Sequence, residues 1–362
     1  MSNVVALRGQ RQGLSAPLPS VPALVDIFAT LRRDRRDAYW LKENAELLQI
    51  LAATGARVDL APYAAYVPSL LDELCFFPQY YRLLLSIALD LRALGMPGVP
   101  VEAMVDQIVA QGLAEFELSD SHRAEARLLL QRASNGRTPQ VDGTTDDAAL
   151  SHRLARFGRQ SALFCLPNRR AAYDLTHLVF HASDYGRRPI ARCAERRQSL
   201  IHAGLVAWLE DNLDLLSEVA IALHLSGEAV PPMWQEAIIA GVGRFRFAAG
   251  PDEGPFDDDY HAYLVQNWAL ACFGRTAFAG TIAQGARLIR APAPDGAALR
   301  DLSLLLLDMG PRRVPDWSAM RWRVWPRLSE AARARIAAVE NMPEFAGFFK
   351  GFSRCGAGSG GK

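Results

Sequence analysis

Two histidines four residues apart, His177 and His181, stand between Asp174, three residues before the first, and Asp184, three residues after the second. On a helix advancing about 100° per residue, these four side chains share one stripe about 80° wide. Leu175, Leu178, Val179 and Ala182 fall on the opposite arc, and Tyr173 and Phe180 border the stripe. Imidazoles one turn apart can meet a single divalent metal such as zinc, which a nearby carboxylate completes or orients. Without a metal, the same groups are those of general acid–base chemistry. A solvated helix also carries a polar stripe, and His-x-x-x-His arises by chance. This stripe, however, contains no Lys, Glu or Gln, and its aromatic borders are those expected of a cavity wall.

A second cluster is Asp257-Asp258-Asp259-Tyr260-His261. Three aspartates at a helix start complement the N-terminal end of the helix dipole and need no further role. That reading leaves His261 unexplained, one turn after Asp257. His261 is the expected partner of the first pair, as a third histidine or a general base. The candidate metal set is therefore His177, His181, His261 and Asp257, and the candidate acid–base set is His177, His181, His261, Asp174 and Asp184. Of the remaining histidines, His202 reads as a core or boundary residue and His224 as a helix-end residue, while His122 and His152 have charged neighbours. The basic run Arg187, Arg188, Arg192, Arg196, Arg197 could hold an anion but fits a solvated or interface face better. The chain has no phosphate-binding glycine loop, no Gly-x-Ser-x-Gly and no His-Glu-x-x-His.

The elements that must carry these residues read as helices throughout. Apolar residues recur at helical spacing after Pro22, over Tyr39–Ala53 and over Tyr80–Leu94, with Gly55 and Gly95 as stops. Further helices are expected over 101–112, 119–134, 147–159, 169–183, 191–225 with a break near Asp211-Asn212, 232–248, 256–268, 299–308 and 329–340. Phe76 and Phe77 are expected in the core or lining a groove. No stretch alternates apolar and polar residues between turn signals as a strand does. The expected fold class is all-α, with antiparallel helix pairs forming an α/α toroid or an irregular helical array. Residues 1–20 read as a flexible N-terminus, 21–350 as a single all-α domain with a possible subdomain boundary near 134–147, and 351–362 as a disordered tail.

The chain has 362 residues, half of them hydrophobic, with a formal net charge of +1. That balance gives no nucleic-acid signature and favours a small-molecule or protein partner. Only Lys42, Lys350 and Lys362 are lysines, so arginine carries nearly all the positive charge, as in GC-rich bacterial genomes. Five cysteines without a Cys-x-x-Cys pair argue against a disulfide framework or a zinc ribbon. The segment Met1–Ser20 has no secretory apolar core, and no run is long enough to span a bilayer. A cytoplasmic protein with no membrane or nucleic-acid partner is expected.

The run Thr176-His177-x-x-Phe180-His181-x-Ser183-Asp184-Tyr185-Gly186 resembles a motif of uncharacterised all-helical bacterial proteins. The resemblance covers about a dozen residues and implies no activity. In some relatives a tyrosine stands where this chain has His181. Separately, Asp258-x-Tyr260-His261-x-x-Leu264 is similar to the Tyr-His segment of the α/α toroid of protein prenyltransferase β subunits, whose histidine binds zinc. The Asp-x-Cys half of that zinc site has no counterpart here, so this resemblance implies a fold analogy and not the reaction. Two functions follow as expectations. One is a metal-dependent or acid–base enzyme acting on a small molecule in a cavity lined by His177, His181 and His261. The other is a non-catalytic helical interaction scaffold.

Overall fold

Local chemistry sets where the helices begin and end. Asp37 accepts from the Tyr39 amide at the start of one helix, Asn168 from Ala171 at another and Asn212 from Leu215 at a third. Gly55, with φ 66°, ends the first of these in the left-handed conformation that favours glycine. A computed structural model describes residues 21–134, 144–248, 259–279, 287–290 and 298–355.

The helices are α1 (Val21–Asp26), α2 (Ala38–Thr54), α3 (Leu70–Phe76), α4 (Tyr81–Ala93), α5 (Val101–Ala110), α6 (Asp120–Ala133), α7 (Thr144–Gly158) and α8 (Arg169–Ala182). They continue as α9 (Ala194–Leu209), α10 (Leu213–Leu225), α11 (Pro232–Val242), α12 (Tyr260–Cys272), α13 (Ala298–Met309), α14 (Trp317–Val324), α15 (Glu330–Ala337) and α16 (Phe345–Phe352). Among the described residues the protein is all-α apart from one antiparallel ribbon, β1 (Phe245–Ala248) with β2 (Arg287–Arg290), which pairs Phe245 with Arg290. The sequence reading has no strand here, because four residues are too few for period-two alternation to register.

The even-numbered helices define the architecture. α2 packs on α4, α4 on α6, α6 on α8, α8 on α10 and α10 on α12, and α12 returns to α2. Neighbours run the same way where side chains link them. Arg82 in the first turn of α4 pairs with Glu125 near the start of α6, and Asp90 further along α4 pairs with Arg132 near the end of α6. Tyr173 and Thr176 of α8 likewise meet Asp214 and Glu218 of α10. Helices α10 and α12 are buried nearly all round, as members of an inner layer must be, and this explains their apolar composition. The odd-numbered helices α3 to α11 pack against the even-numbered ones, α9 and α11 each lying against α10.

The C-terminal helices form a further layer over α9. α15 and α16 pack on it, and α16 also covers the turn Leu163–Cys165. Trp208 of α9 donates its indole N–H to the Arg335 carbonyl at 2.9 Å, and Arg335 donates back to the Trp208 carbonyl at 2.6 Å while pairing with Asp211.

Several expectations change. Helix α8 stops at Ala182, and Asp184 has φ 47°, so Asp184 does not extend the helical stripe. Helix α9 begins only at Ala194, so Arg188, Arg192 and Arg196 do not share one helical face. Phe76 and Phe77 are exposed rather than core. The N-terminus 1–20, the loop 135–143 and the tail from 356 lie outside the described residues. Among the described residues no helix is long and apolar enough to cross a membrane.

Candidate active site

Each of the six even-numbered helices from α2 to α12 contributes polar side chains to one region. Helix α2 contributes Glu46, α4 Arg82, α6 Glu125, α8 Tyr173, Thr176 and His177, α10 Asp214 and Glu218, and α12 His261. The chain supplies these groups from six separate segments, and the closure of α12 on α2 brings the first and last into range.

Glu218 is the centre of the cluster. It is 2% exposed, and its two carboxyl oxygens face different histidines. His177 Nε2 lies 3.9 Å from Oε2, and His261 Nε2 lies 3.6 Å from Oε1. Thr176 Oγ is 2.5 Å from Oε2. Asp214, one turn earlier on α10, accepts from His261 Nδ1 at 2.7 Å and from the Tyr173 hydroxyl at 2.5 Å. The Asp214 contact fixes the imidazole so that its other nitrogen points at Glu218.

The electrostatics follow from one cation among several carboxyls. Burial opposes the charged form of His261, but Glu46, Asp214 and Glu218 together outweigh it and hold its pKa up at about 10. Three carboxyls around one imidazolium leave excess negative charge in a desolvated place. Burial, aided by Asp214 and Glu46 against the opposing pull of His261, lifts Glu218 to about 8. Glu46 is also raised, by burial first, and its Oε2 is enclosed without a hydrogen-bond partner. His177 is pushed down to about 4 by desolvation and then by His181, so it is neutral beside Glu218.

The side chain of His177 is nevertheless 46% exposed. The imidazole is therefore the member of the cluster that solvent reaches, while Glu218 behind it is buried.

The structure places the sequence candidates unequally. His177 and His261 come together on Glu218. His181 sits beside His177, with ring centroids 5.8 Å apart, and is 7% exposed. Asp174 interacts with Arg170 and His122 and has a raised pKa through partial burial. Asp184 joins an ion cluster towards the other end of the inner helices, with Arg132 at 3.7 Å and Arg187 at 3.4 Å, where Asp90 also pairs with Arg132. Asp257 lies outside the described residues. Among the described residues no group of three His, Cys, Asp or Glu side chains is disposed to hold a metal ion. Within the basic run Arg187 pairs with Asp90 and Asp184, Arg188 donates to Gln131, Arg196 to the Ala191 carbonyl, and Arg197 pairs with Glu228 and Glu344.

Sequence reasoning missed Asp214, Glu218, Glu46, Thr176 and Tyr173. The signal for two of them was present: Asp214 and Glu218 are carboxylates four residues apart in the otherwise apolar run Leu213–Leu225. A glutamate in the middle of a helix buried all round needs a partner.

Over residues 1–355 the chain matches the family described as a domain of unknown function (DUF6902). The chain belongs to the DUF6902 family. Comparison with curated proteins and with solved structures returns no match. The match to DUF6902 spans every helix of the ring and the C-terminal layer, so it takes in the whole candidate site.

Proposed function

We propose that this DUF6902 protein is an acid–base enzyme acting on a small molecule within the ring, and that α2, α4, α6, α8, α10 and α12 form the inner wall of an α/α toroid. The observation that carries the reading is Glu218, a buried carboxyl held between two histidines from two other helices. A carboxyl with a pKa near neutrality is matched to both giving and accepting a proton at working pH.

Burial supports a proton on Glu218, with the Thr176 hydroxyl acting against it. The Thr176 hydroxyl has a single proton and lies 2.8 Å from the Tyr173 carbonyl, which can only accept. The same hydroxyl donates to Glu218 Oε2 in the short contact and so favours the ionised carboxyl, an effect that burial and the neighbouring Asp214 and Glu46 outweigh. Roles then follow from position. Glu218 is the proton donor and acceptor, the neutral His177 on the open wall contacts the ligand and relays protons, and Asp214 orients His261. The imidazolium of His261 stabilises the ionised form of Glu218 after transfer. His181, Asp174 and Asp184 stand outside this relay.

Carbon-13 NMR of labelled glutamate carboxyls, with E218Q for assignment, tests the reading. Glu218 is expected to titrate near pH 8. Titration in the ordinary carboxyl range would remove the proposed acid.

A further inference from the structure

The second half of the motif, Ser183-Asp184-Tyr185-Gly186, has no role in the proton relay, yet it holds the most unusual backbone of the described chain. Asp184, Tyr185 and Gly186 are consecutive residues with φ of 47°, 51° and 88°. A left-handed conformation is disfavoured for a bulky aromatic residue and persists only where its surroundings enforce it. Here they do. The Tyr185 amide donates to the Phe180 carbonyl at 2.7 Å, the Arg188 amide to the Ser183 carbonyl at 2.9 Å, and the Gly186 amide to the Ser183 carbonyl and hydroxyl at 3.1 and 3.2 Å. A Cβ on Gly186 would sit 2.9 Å from Leu225 Cδ2, so the turn also presses on α10.

The turn holds the Tyr185 ring against inner helices. It meets His181 at 5.9 Å in an edge-on arrangement, and Phe180 and Trp268 each at 6.2 Å. Glu125, Asp90 and Arg132 of α4 and α6 and Asp184 of its own turn are its charged neighbours, yet none hydrogen-bonds its hydroxyl. His181 beside it is more deeply placed: it is 7% exposed and its Nδ1 is enclosed without a partner. An enclosed imidazole nitrogen without a partner, its ring in edge-on contact with a partly buried tyrosine whose hydroxyl those neighbours leave unbonded, departs from the rule that buried polar atoms are paired.

We propose that Tyr185 and His181 form the inner subsite of the same cavity, with Tyr185 a ligand-contacting residue and a neutral hydroxyl or carbonyl group of the ligand as its occupant. The proposal rests on the reading of the ring as a small-molecule site. Neutrality follows from the groups themselves. Burial pushes the Tyr185 phenol well above its ordinary range, and burial with Arg82 and His122 holds His181 down at about 3. Both are therefore uncharged, each with one donor and one acceptor, which is the complement of a hydroxyl or carbonyl. The nearby guanidinium of Arg82 is already paired with Glu117 and Glu125 and offers no counter-charge to an anion.

The test is nitrogen-15 NMR of labelled histidine, with H181Q for assignment, on the full chain titrated with glycerol, glycolate and ethanolamine as neutral, anionic and cationic probes. Glycerol is expected to shift the His181 resonances saturably and more tightly than either charged probe. The Y185F variant, which keeps the ring and its packing, is expected to weaken that binding about tenfold, as loss of one buried hydrogen bond would. No saturable glycerol shift, equal affinity in Y185F, or preference for a charged probe overturns the proposal. The two readings fail separately: a glycerol response lost in Y185F but kept in E218Q supports the subsite even if Glu218 titrates as an ordinary carboxyl.

Discussion

Asp214 and Glu218 sit one turn apart on α10 and address opposite nitrogens of His261, Asp214 at 2.7 Å from Nδ1 and Glu218 at 3.6 Å from Nε2. The two carboxyls therefore do different work on one imidazole. Asp214 fixes its orientation, and Glu218 meets its free edge.

Removing either side of this arrangement moves Glu218 in opposite directions. D214N takes away a negative neighbour that raises the pKa of Glu218, and H261Q takes away the positive neighbour that lowers it. The Glu218 carboxyl is expected to titrate about one unit lower in D214N and at least one unit higher in H261Q. Carbon-13 NMR of the carboxyl measures both, and shifts of the same sign would break the assignment of charges.

The raised pKa of Glu218 has a consequence for stability. An unfolded glutamate titrates near 4.5 and the folded one near 8, so the protonated carboxyl favours the folded state. This contribution is complete below about pH 4.5 and is lost as pH rises through 8. Urea denaturation of wild type and E218Q at pH 5 and pH 8 should show wild type losing about 2–4 kcal/mol more than the variant over that interval.

His181 acts in the opposite sense. Its folded pKa, depressed to about 3 by desolvation, lies below the unfolded value of 6.5. Its contribution is present above pH 6.5 and is lost as pH falls towards 3, because the unfolded chain takes up a proton that the native site refuses. Between pH 6 and pH 4, wild type should lose about 1.4 kcal/mol per pH unit more than H181Q. Parallel stability curves would show that His181 is readily protonated in the native state.

The link between Trp208 and Arg335 predicts a local effect. R335A removes a charge-assisted hydrogen bond, an ion pair with Asp211 and a guanidinium over the Trp208 ring at 5.1 Å. It should cost about 1–3 kcal/mol. Hydrogen exchange should quicken in α13 to α16, while the resonances of His177 and His261 remain in place.

The helices and the three histidines were legible because both rest on local rules. Capping residues, glycine stops and 3.6-residue spacing are properties of a short window, and so is His177-x-x-x-His181. Glu218 was not legible, because its meaning depends on His177 and His261, which arrive from two other helices. Asp184 was misplaced because a left-handed turn intervened where helical spacing continued on paper. The closure of α12 on α2 is a long-range packing event, and no periodicity within either helix specifies its partner.

That closure also has a kinetic meaning. Glu46 lies on α2 and His261 on α12, so their meeting requires a very long loop to close, the entropically slowest kind of contact to form. The Glu46 contribution to the cluster around His261 is thus expected to form late in folding. A partly folded chain, however helical, would lack the charge balance around Glu218, and the proposed proton relay would assemble only with the finished packing of α12 on α2.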